Sequence, residues 1–353
     1  MKYPALQLFS QVLPELDSFD AIIDVRSPSE FALDHLPGAV NYPVLDDAER
    51  EQVGTLYKQV NSFEAKKVGA ALVSKNIGRH IEEHLAAHPR DWRPLVYCWR
   101  GGNRSGSMAH VLARIGWPAV QLDGGYKAYR AHISADLADA PQLPFRVVCG
   151  TTGSGKSRLL EVLDAAGAQV LDLEKLAAHR GSVLGNLPDE PQPSQKMFES
   201  RIWDALRRFD PARPVFVESE SKKVGNLRVP DALMDTMRQS PCIALTLSLE
   251  DRVRLLMEDY SHFAASPDVL NAQLDHLVKL HGRDKIDAWH ALANGGRIEE
   301  LVALLLAEHY DPAYLRSIDR NFVKYGDALP LELPGISPNH FAAAAQHLQQ
   351  LPA

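Results

Sequence analysis

Two stretches of this chain combine residue types and spacings that can do chemistry. The first is Tyr97-Cys98-Trp99-Arg100-Gly101-Gly102-Asn103-Arg104-Ser105. The apolar run Pro94 to Cys98 leads into it as a buried strand, and Ser105 to Ile115 leads out with helical spacing. A glycine-rich turn between a strand and a helix can curl so that several backbone N–H groups face one point, and the helix N-terminus adds partial positive charge. A thiolate is an anion and is stabilised in such a cradle. Cys98 is therefore the candidate nucleophile, with Arg100 and Arg104 as its charged partners. Trp99, Gly101, Gly102, Asn103 and Ser105 complete the anion- or chalcogen-binding loop.

The second stretch is Gly150-Thr151-Thr152-Gly153-Ser154-Gly155-Lys156-Ser157, a full match to G-x4-G-K-[ST]. Gly150, Gly153, Ser154 and Gly155 let backbone amides approach phosphates, Lys156 reaches the terminal phosphates, and the Ser157 hydroxyl can ligate Mg²⁺. The apolar run Phe145 to Cys149 before it and the helical run from Ser157 supply the required strand–turn–helix context. An acidic partner at a second strand end usually completes such a site. Glu218, ending Val215-Phe216-Val217-Glu218, and Asp172, ending Val170-Leu171-Asp172, are the candidates. Arg252 or Arg254 could reach the phosphates, and the polar run Glu218 to Lys223 could border the site. Cys149 reads as core.

The elements that must position these loops follow an alternating strand–helix pattern, which predicts parallel sheets. Ala21 to Val25, Pro94 to Cys98 and Val120 to Leu122 are strands of a first α/β domain over 1–134, with a helical insertion over about 46–90. Residues 135–144 read as a linker. A second α/β domain then spans 145–353, with strands at Phe145 to Cys149, Val170 to Leu173, Pro214 to Val217 and Cys242 to Leu249. Pro188 to Pro193 reads as a loop, and the chain from Glu250 onward as mostly helical.

Composition narrows the class. The chain has 353 residues, more than one core usually serves, so two domains are expected. Its net charge of -7 disfavours generic binding of polyanions, so any nucleic-acid contact needs a local basic surface. Three cysteines, none at C-x-x-C spacing, argue against a disulfide framework or a zinc site. His80, His84 and His88 share helical spacing and read as a solvated face. No signal-like start and no membrane-length apolar run is visible, so a cytoplasmic protein is expected.

The cysteine segment resembles the rhodanese family. The likeness includes Asp24-Val25-Arg26-Ser27-Pro28-Ser29-Glu30-Phe31, then His35-Leu36-Pro37-Gly38-Ala39-Val40-Asn41-Tyr42-Pro43, then Leu122-Asp123-Gly124-Gly125-Tyr126. It implies a catalytic cysteine that carries sulfur or selenium as a persulfide or perselenide; Asp24 and Arg26 read as a structural ion pair pinning the strand end. The C-x5-R spacing of Cys98 and Arg104 is one residue longer than in many small rhodaneses. It is also the spacing of cysteine phosphatases, and a longer loop can cradle a tetrahedral anion. Tyr97 stands where those phosphatases carry histidine.

A rhodanese-like domain followed by a P-loop domain with Leu171 to Gly185 (LDLEKLAAHRGSVLG) and Phe216 to Asn226 (FVESESKKVGN) resembles the tRNA 2-selenouridine synthase family. That resemblance implies replacement of the sulfur of wobble 2-thiouridine in tRNA by selenium from selenophosphate. It further implies an S-geranyl intermediate made from geranyl diphosphate. The P-loop motif alone does not choose between geranyl diphosphate and a nucleotide. No tightly bound cofactor is expected; Mg²⁺ is the one ion the motif admits. Trp99 could stack on a base, and Lys58, Lys127 and Arg130 could meet phosphates of a tRNA bound in a salt-dependent way. Two other readings stay open at this point. One is a C-x5-R phosphatase fused to a P-loop kinase; the other is a non-catalytic rhodanese-like sensor with a nucleotide-regulated binding module.

Overall fold

The computed structural model describes residues 3–181, 190–259 and 267–351. Pro188 and Asp189 of the expected loop and the last four residues of the Leu171 to Gly185 motif lie outside the described residues. The chain divides into two compact units, Met1–Leu137 with Pro193–Asp204, and Ala138–Gln192 with Ala205–Ala353.

The first unit is a five-stranded parallel sheet. Its order is Ala5–Gln7, Val120–Leu122, Pro94–Tyr97, Ala21–Asp24, Ala39–Asn41. Pro94–Tyr97 is buried at every position, as a central parallel strand covered on both faces must be. One face packs Ile23, Val96, Met108 and Leu112 together; the other packs Ile22, Leu95, Tyr129 and Ile133. The helical insertion is Asp47–Gln59, Ser62–His80 and a wide turn at Ile81–Leu85. The histidine row on it is a solvated face only in part: His84 and His88 are exposed. His80 is buried and its Nε2 bonds the Pro43 carbonyl at 2.9 Å, His84 stacks on Tyr42, and His88 stacks on Trp92.

Pro193–Asp204 belongs to this unit, although the alternating pattern of the sequence puts it in the second domain. Polar contacts hold it there. Ser200 Oγ donates to Asp34 Oδ1 at 2.7 Å, and Trp203 Nε1 donates to Asp136 Oδ2 at 2.9 Å. The expected linker starts late, because the helix Gly125–Asp136 runs into it.

The second unit carries its own five-stranded parallel sheet, ordered Leu329–Glu332, Cys242–Thr246, Phe145–Cys149, Val215–Glu218, Gln169–Leu171. The α/β class expected from the sequence holds for both units. Leu329–Glu332 is a strand in a region read as helical. It lies at the sheet edge, where Pro330 is tolerated because its missing N–H is needed by no neighbour. Helices from Pro267 to Asn321 build a separate apolar cluster around Trp289, Leu301 and Leu305. Among the described residues no helix is long and apolar enough to cross a membrane.

Candidate functional site

In the first unit, the strand Pro94–Tyr97 delivers Cys98 to the C-terminal edge of the sheet, and the helix Asn103–Ile115 starts five residues later. The turn between them is built on glycines. Gly101 has φ +67, and a Cβ on it would stand 2.5 Å from the Leu122 carbonyl oxygen. Gly125 has φ +53, and a Cβ there would stand 2.2 Å from the Cys98 carbonyl oxygen. The Gly124-Gly125 turn therefore supports the cysteine loop from below. Tyr126 N–H donates to the Cys98 carbonyl at 2.8 Å, and Lys127 N–H to the Trp99 carbonyl at 3.0 Å. Gln121 Nε2 adds a third tie, to the Gly101 carbonyl at 2.6 Å.

An open depression results, lined by Cys98, Trp99, Arg100, Gly102, Asn103 and Arg104. Ser105 Oγ donates to Cys98 Sγ at 3.2 Å. Arg104 is not free. Its Nη1 bonds Glu30 Oε2 at 2.7 Å, and Arg50 Nε approaches the same oxygen at 3.2 Å. Burial pushes the Glu30 carboxyl up, but the hydrogen bond and charge of Arg104 hold it below the usual carboxylate range. Arg104 is thus oriented by Glu30, while Arg100 stays exposed at the rim. Trp99 packs 5.2 Å from the Tyr126 ring and stays 37% exposed.

Asp24 and Arg26 sit beneath this loop as a buried pair. Arg26 Nε bonds Asp24 Oδ2 at 2.9 Å, and its guanidinium lies 4.1 Å from the centre of the Tyr126 ring. Tyr97 is fully buried and its hydroxyl accepts the Leu36 N–H at 3.1 Å. Arg130, expected at RNA phosphates, is instead paired with Glu199 and lies 3.8 Å from Asp34. Lys58 and Lys127 are exposed.

In the second unit, Gly153 and Gly155 take positive φ and the helix Lys156–Ala165 follows. The loop borders a cleft of about 770 Å³. Lys156 Nζ folds back on the Gly150 carbonyl at 2.7 Å and lies 5.5 Å from the centre of the Tyr314 ring. The Gly150 N–H donates to the Tyr314 hydroxyl at 2.7 Å, and that hydroxyl also bonds Ser219 Oγ. Arg252, expected at the phosphates, is not among the residues that line the cleft. It is buried, donates to the Thr152 carbonyl at 2.7 Å and pairs with Asp311, so it braces the loop from behind. Arg254 is exposed and pairs with Glu250. Cys149 is fully buried.

Four carboxylates gather beside Ser157. Ser157 Oγ donates to Glu174 Oε2 at 3.0 Å, and the Glu174 N–H donates to Glu218 Oε1 at 3.0 Å. Asp172 caps the short helix Leu173–Leu176, accepting the Lys175 N–H at 2.8 Å. Glu218 is 2% exposed and its Oε2 has no partner. Burial and the charges of Asp172, Glu174 and Glu220 push the Glu218 carboxyl well up. Burial and the Glu220 charge push Glu174 up to about 8. Glu174, Glu220 and Tyr314 are functional candidates that sequence reasoning missed. Glu220 stood only inside a run suspected of bordering the site, and Ser219 to Lys222 do line the cleft.

The raised Glu174 carboxyl has a testable consequence. A group whose folded pKa lies above its unfolded value adds stability that is fully present below about 4.5 and is lost as pH rises through about 8. Without added cation, the melting temperature of the full chain is expected to fall between about pH 4.5 and about pH 8. Glu174→Gln keeps the acceptor for Ser157 and should flatten that fall; an unchanged profile would exonerate this carboxyl.

Comparison with known proteins matches both units. A family model for the tRNA 2-selenouridine synthase AAA domain matches residues 143–274, and one for the rhodanese-like domain matches residues 9–132. The chain is 36% identical over 326 residues to a tRNA 2-selenouridine synthase of Alcanivorax borkumensis, covering 83% of this chain and 88% of that protein. It is 32% identical over 329 residues to a tRNA 2-selenouridine synthase of Shewanella halifaxensis, covering 85% and 89%. It is also 33% identical over 348 residues to one from a Sulfurovum species, covering 88% and 93%.

Proposed function

The chain belongs to the tRNA 2-selenouridine synthase family, and on that premise we propose that it replaces the sulfur of wobble 2-thiouridine in tRNA by selenium, through an S-geranyl intermediate. Selenophosphate is the selenium donor and geranyl diphosphate the alkyl donor. One observation carries the second half of this reading. The cleft that Lys156 and Ser157 line is lined as well by apolar Leu255, Leu256, Ala313, Ile318 and Phe322, with Leu255 and Leu256 close against the loop glycines Gly155 and Gly153. A prenyl diphosphate needs that pairing of a phosphate cradle with an apolar surface.

The chemistry divides between the sites. The C2–S bond of thiouridine is a poor place for substitution while sulfur is anionic or doubly bonded. Attack of that sulfur on C1 of geranyl diphosphate forms a C–S bond and expels diphosphate. Lys156, the loop amides and Ser157 would stabilise the leaving diphosphate. Mg²⁺ fits beside them. It binds through one or two carboxylates plus substrate phosphates, and the unpartnered buried oxygen of Glu218 with the Ser157–Glu174 pair supplies such ligands. The ion would neutralise charge on the diphosphate.

Selenium delivery falls to Cys98. A perselenide on Cys98 would require a two-electron oxidation, because selenium in selenophosphate is already at the selenide level. Attack of the Cys98 thiolate on phosphorus needs no oxidant and releases hydrogen selenide. The C-x5-R cradle, with Ser105 on the sulfur, suits a tetrahedral phosphate-like anion. Hydrogen selenide then attacks C2 and displaces geranylthiolate, while water hydrolyses the S-phosphocysteine.

The test is nucleoside mass spectrometry on 2-thiouridine-containing tRNA, omitting geranyl diphosphate and selenophosphate in turn. The S-geranyl nucleoside should accumulate without selenophosphate and convert to selenouridine with it. Unchanged tRNA under all conditions would overturn the reading and return the phosphatase–kinase alternative. The choice of ligand at the cleft has its own test. Burying four geranyl carbons is worth about 3 kcal/mol, roughly a hundredfold in affinity. Geranyl diphosphate should therefore bind about a hundredfold tighter than inorganic diphosphate, and Ala313→Trp should remove most of that difference while sparing diphosphate itself. Equal affinities for the two in the parent chain would exclude the prenyl pocket.

A further inference from the structure

We propose that the tip of the helical hairpin Asp47–Gln59 and Ser62–His80 is an RNA contact that stacks unpaired bases on Tyr57 and Phe63 and pairs phosphates with Lys58 and Lys66. The inference rests on the reading that tRNA is the substrate.

The hairpin carries an unusual surface. Tyr57, Val60 and Phe63 are 61%, 59% and 67% exposed, within seven positions of one another. Single exposed apolar residues are ordinary, but two aromatics and a valine around one tight turn are a patch. Asp47–Gln59 buries no residue at all, so it is not held in place by a core of its own making. The charge around the patch is basic. Lys58, Lys66 and Lys67 flank it and Glu64 is the one acidic residue between Tyr57 and Lys67. Lys67 pairs with Glu64 at 2.8 Å and lies 5.3 Å from the centre of the Phe63 ring. Lys58 and Lys66 are exposed. Aromatic faces interleaved with lysines are what single-stranded nucleic acid needs: every base has a face to stack, and every linkage a charge to meet. In a chain of net charge -7 such a basic tip is a local exception, which is the condition for binding a polyanion here.

The hairpin is also tied to the cysteine loop. Arg50, in its first helix, shares Glu30 with Arg104. Ser29 N–H donates to Asp47 Oδ2 at 3.2 Å, at the helix start. Asp46 and Asn61 cap the two helices on the N–H groups of Glu49 and Glu64, so the tip is a defined projection. Thirteen residues rise about 20 Å, so the tip offers a tRNA engaged at Cys98 a second hold about that far along the hairpin.

The experiment compares the full-length parent with Tyr57→Ala/Phe63→Ala and Lys58→Glu/Lys66→Glu, titrating tRNA across a range of salt. The aromatic pair should weaken binding at least about tenfold with the salt slope unchanged. The lysine pair should weaken it and reduce the log–log salt slope by roughly 1.4, two contacts at about 0.7 each. Diphosphate affinity and the thermal unfolding profile should stay at the parent values in both, which shows that both units are folded. Parent-like tRNA affinity in both variants would overturn the proposal. So would loss of a dimer in sedimentation without loss of tRNA affinity, which would make the tip a contact between copies. A parent chain that binds no tRNA would instead bring down the functional reading, and the hairpin proposal with it.

Discussion

Given 2-thiouridine-containing tRNA, geranyl diphosphate and selenophosphate, the Cys98→Ser chain is expected to accumulate the S-geranyl nucleoside and to form selenouridine at least about a thousandfold more slowly than the parent. Serine fills nearly the same volume, so the loop survives. Tyr126 still donates to the residue-98 carbonyl and Gly101 keeps its approach to Leu122. What disappears is the polarisable sulfur nucleophile, and a hydroxyl is far less nucleophilic in its place. Lys156→Ala should give the opposite record. Thiouridine goes in and comes out, because the diphosphate loses the cation of the phosphate loop while Cys98 is untouched. Among the described residues the Lys156 ammonium has no competing salt bridge; it rests on the Gly150 carbonyl, a partner it can leave for a phosphate. A drop in geranylation of two to three orders of magnitude is the size expected for a removed preorganised charge. If both variants lost both products together, the assignment of one step to each site would be wrong.

The two loops are legible in the sequence because each is a local object. A strand end, a few glycines and a helix start lie within nine residues, and a short-range pattern dictates the geometry. The same holds for the alternation that gives two parallel sheets. What surrounds the loops is not local. Glu174 meets Ser157 across seventeen positions, and Tyr314 meets Gly150 across 164. No spacing rule connects such pairs; only the packing of the helical region against the sheet does. Arg252 shows the reverse error. An arginine just after a strand looks like a phosphate ligand, but Asp311 and the Thr152 carbonyl claim it, and neither is near it in sequence. The edge strands Ala5–Gln7 and Leu329–Glu332 escaped for another reason. Three or four residues with one unprotected side carry little periodicity, and proline in one of them argued against a strand at all.

Gly125→Ala should cost selenation about a hundredfold while leaving geranylation near the parent rate. The residue lies on the turn under the cysteine loop, and it contacts no substrate in the proposed scheme. Its Cβ would fall 2.2 Å from the Cys98 carbonyl oxygen, 2.6 Å from the Gly101 nitrogen and 3.1 Å from the Arg100 nitrogen. All three are backbone atoms, so no side chain can swing away to make room. Relief to ordinary contact distance needs a shift of about 1 Å or more in the loop that aims Cys98, and misplacement on that scale costs about a hundredfold in rate. The N–H bonds from Tyr126 and Lys127 would be strained by the same movement. Left-handed backbone alone is not the cause, and Gly116→Ala separates the two effects. Gly116 has φ +126 with nothing within 4 Å of a Cβ, so alanine there meets strain without collision. It should lower stability by about 1 kcal/mol or more and keep selenation. If Gly116→Ala lost selenation as fully as Gly125→Ala, the loss would report general destabilisation of the first unit, and the turn would have no special role in aiming Cys98.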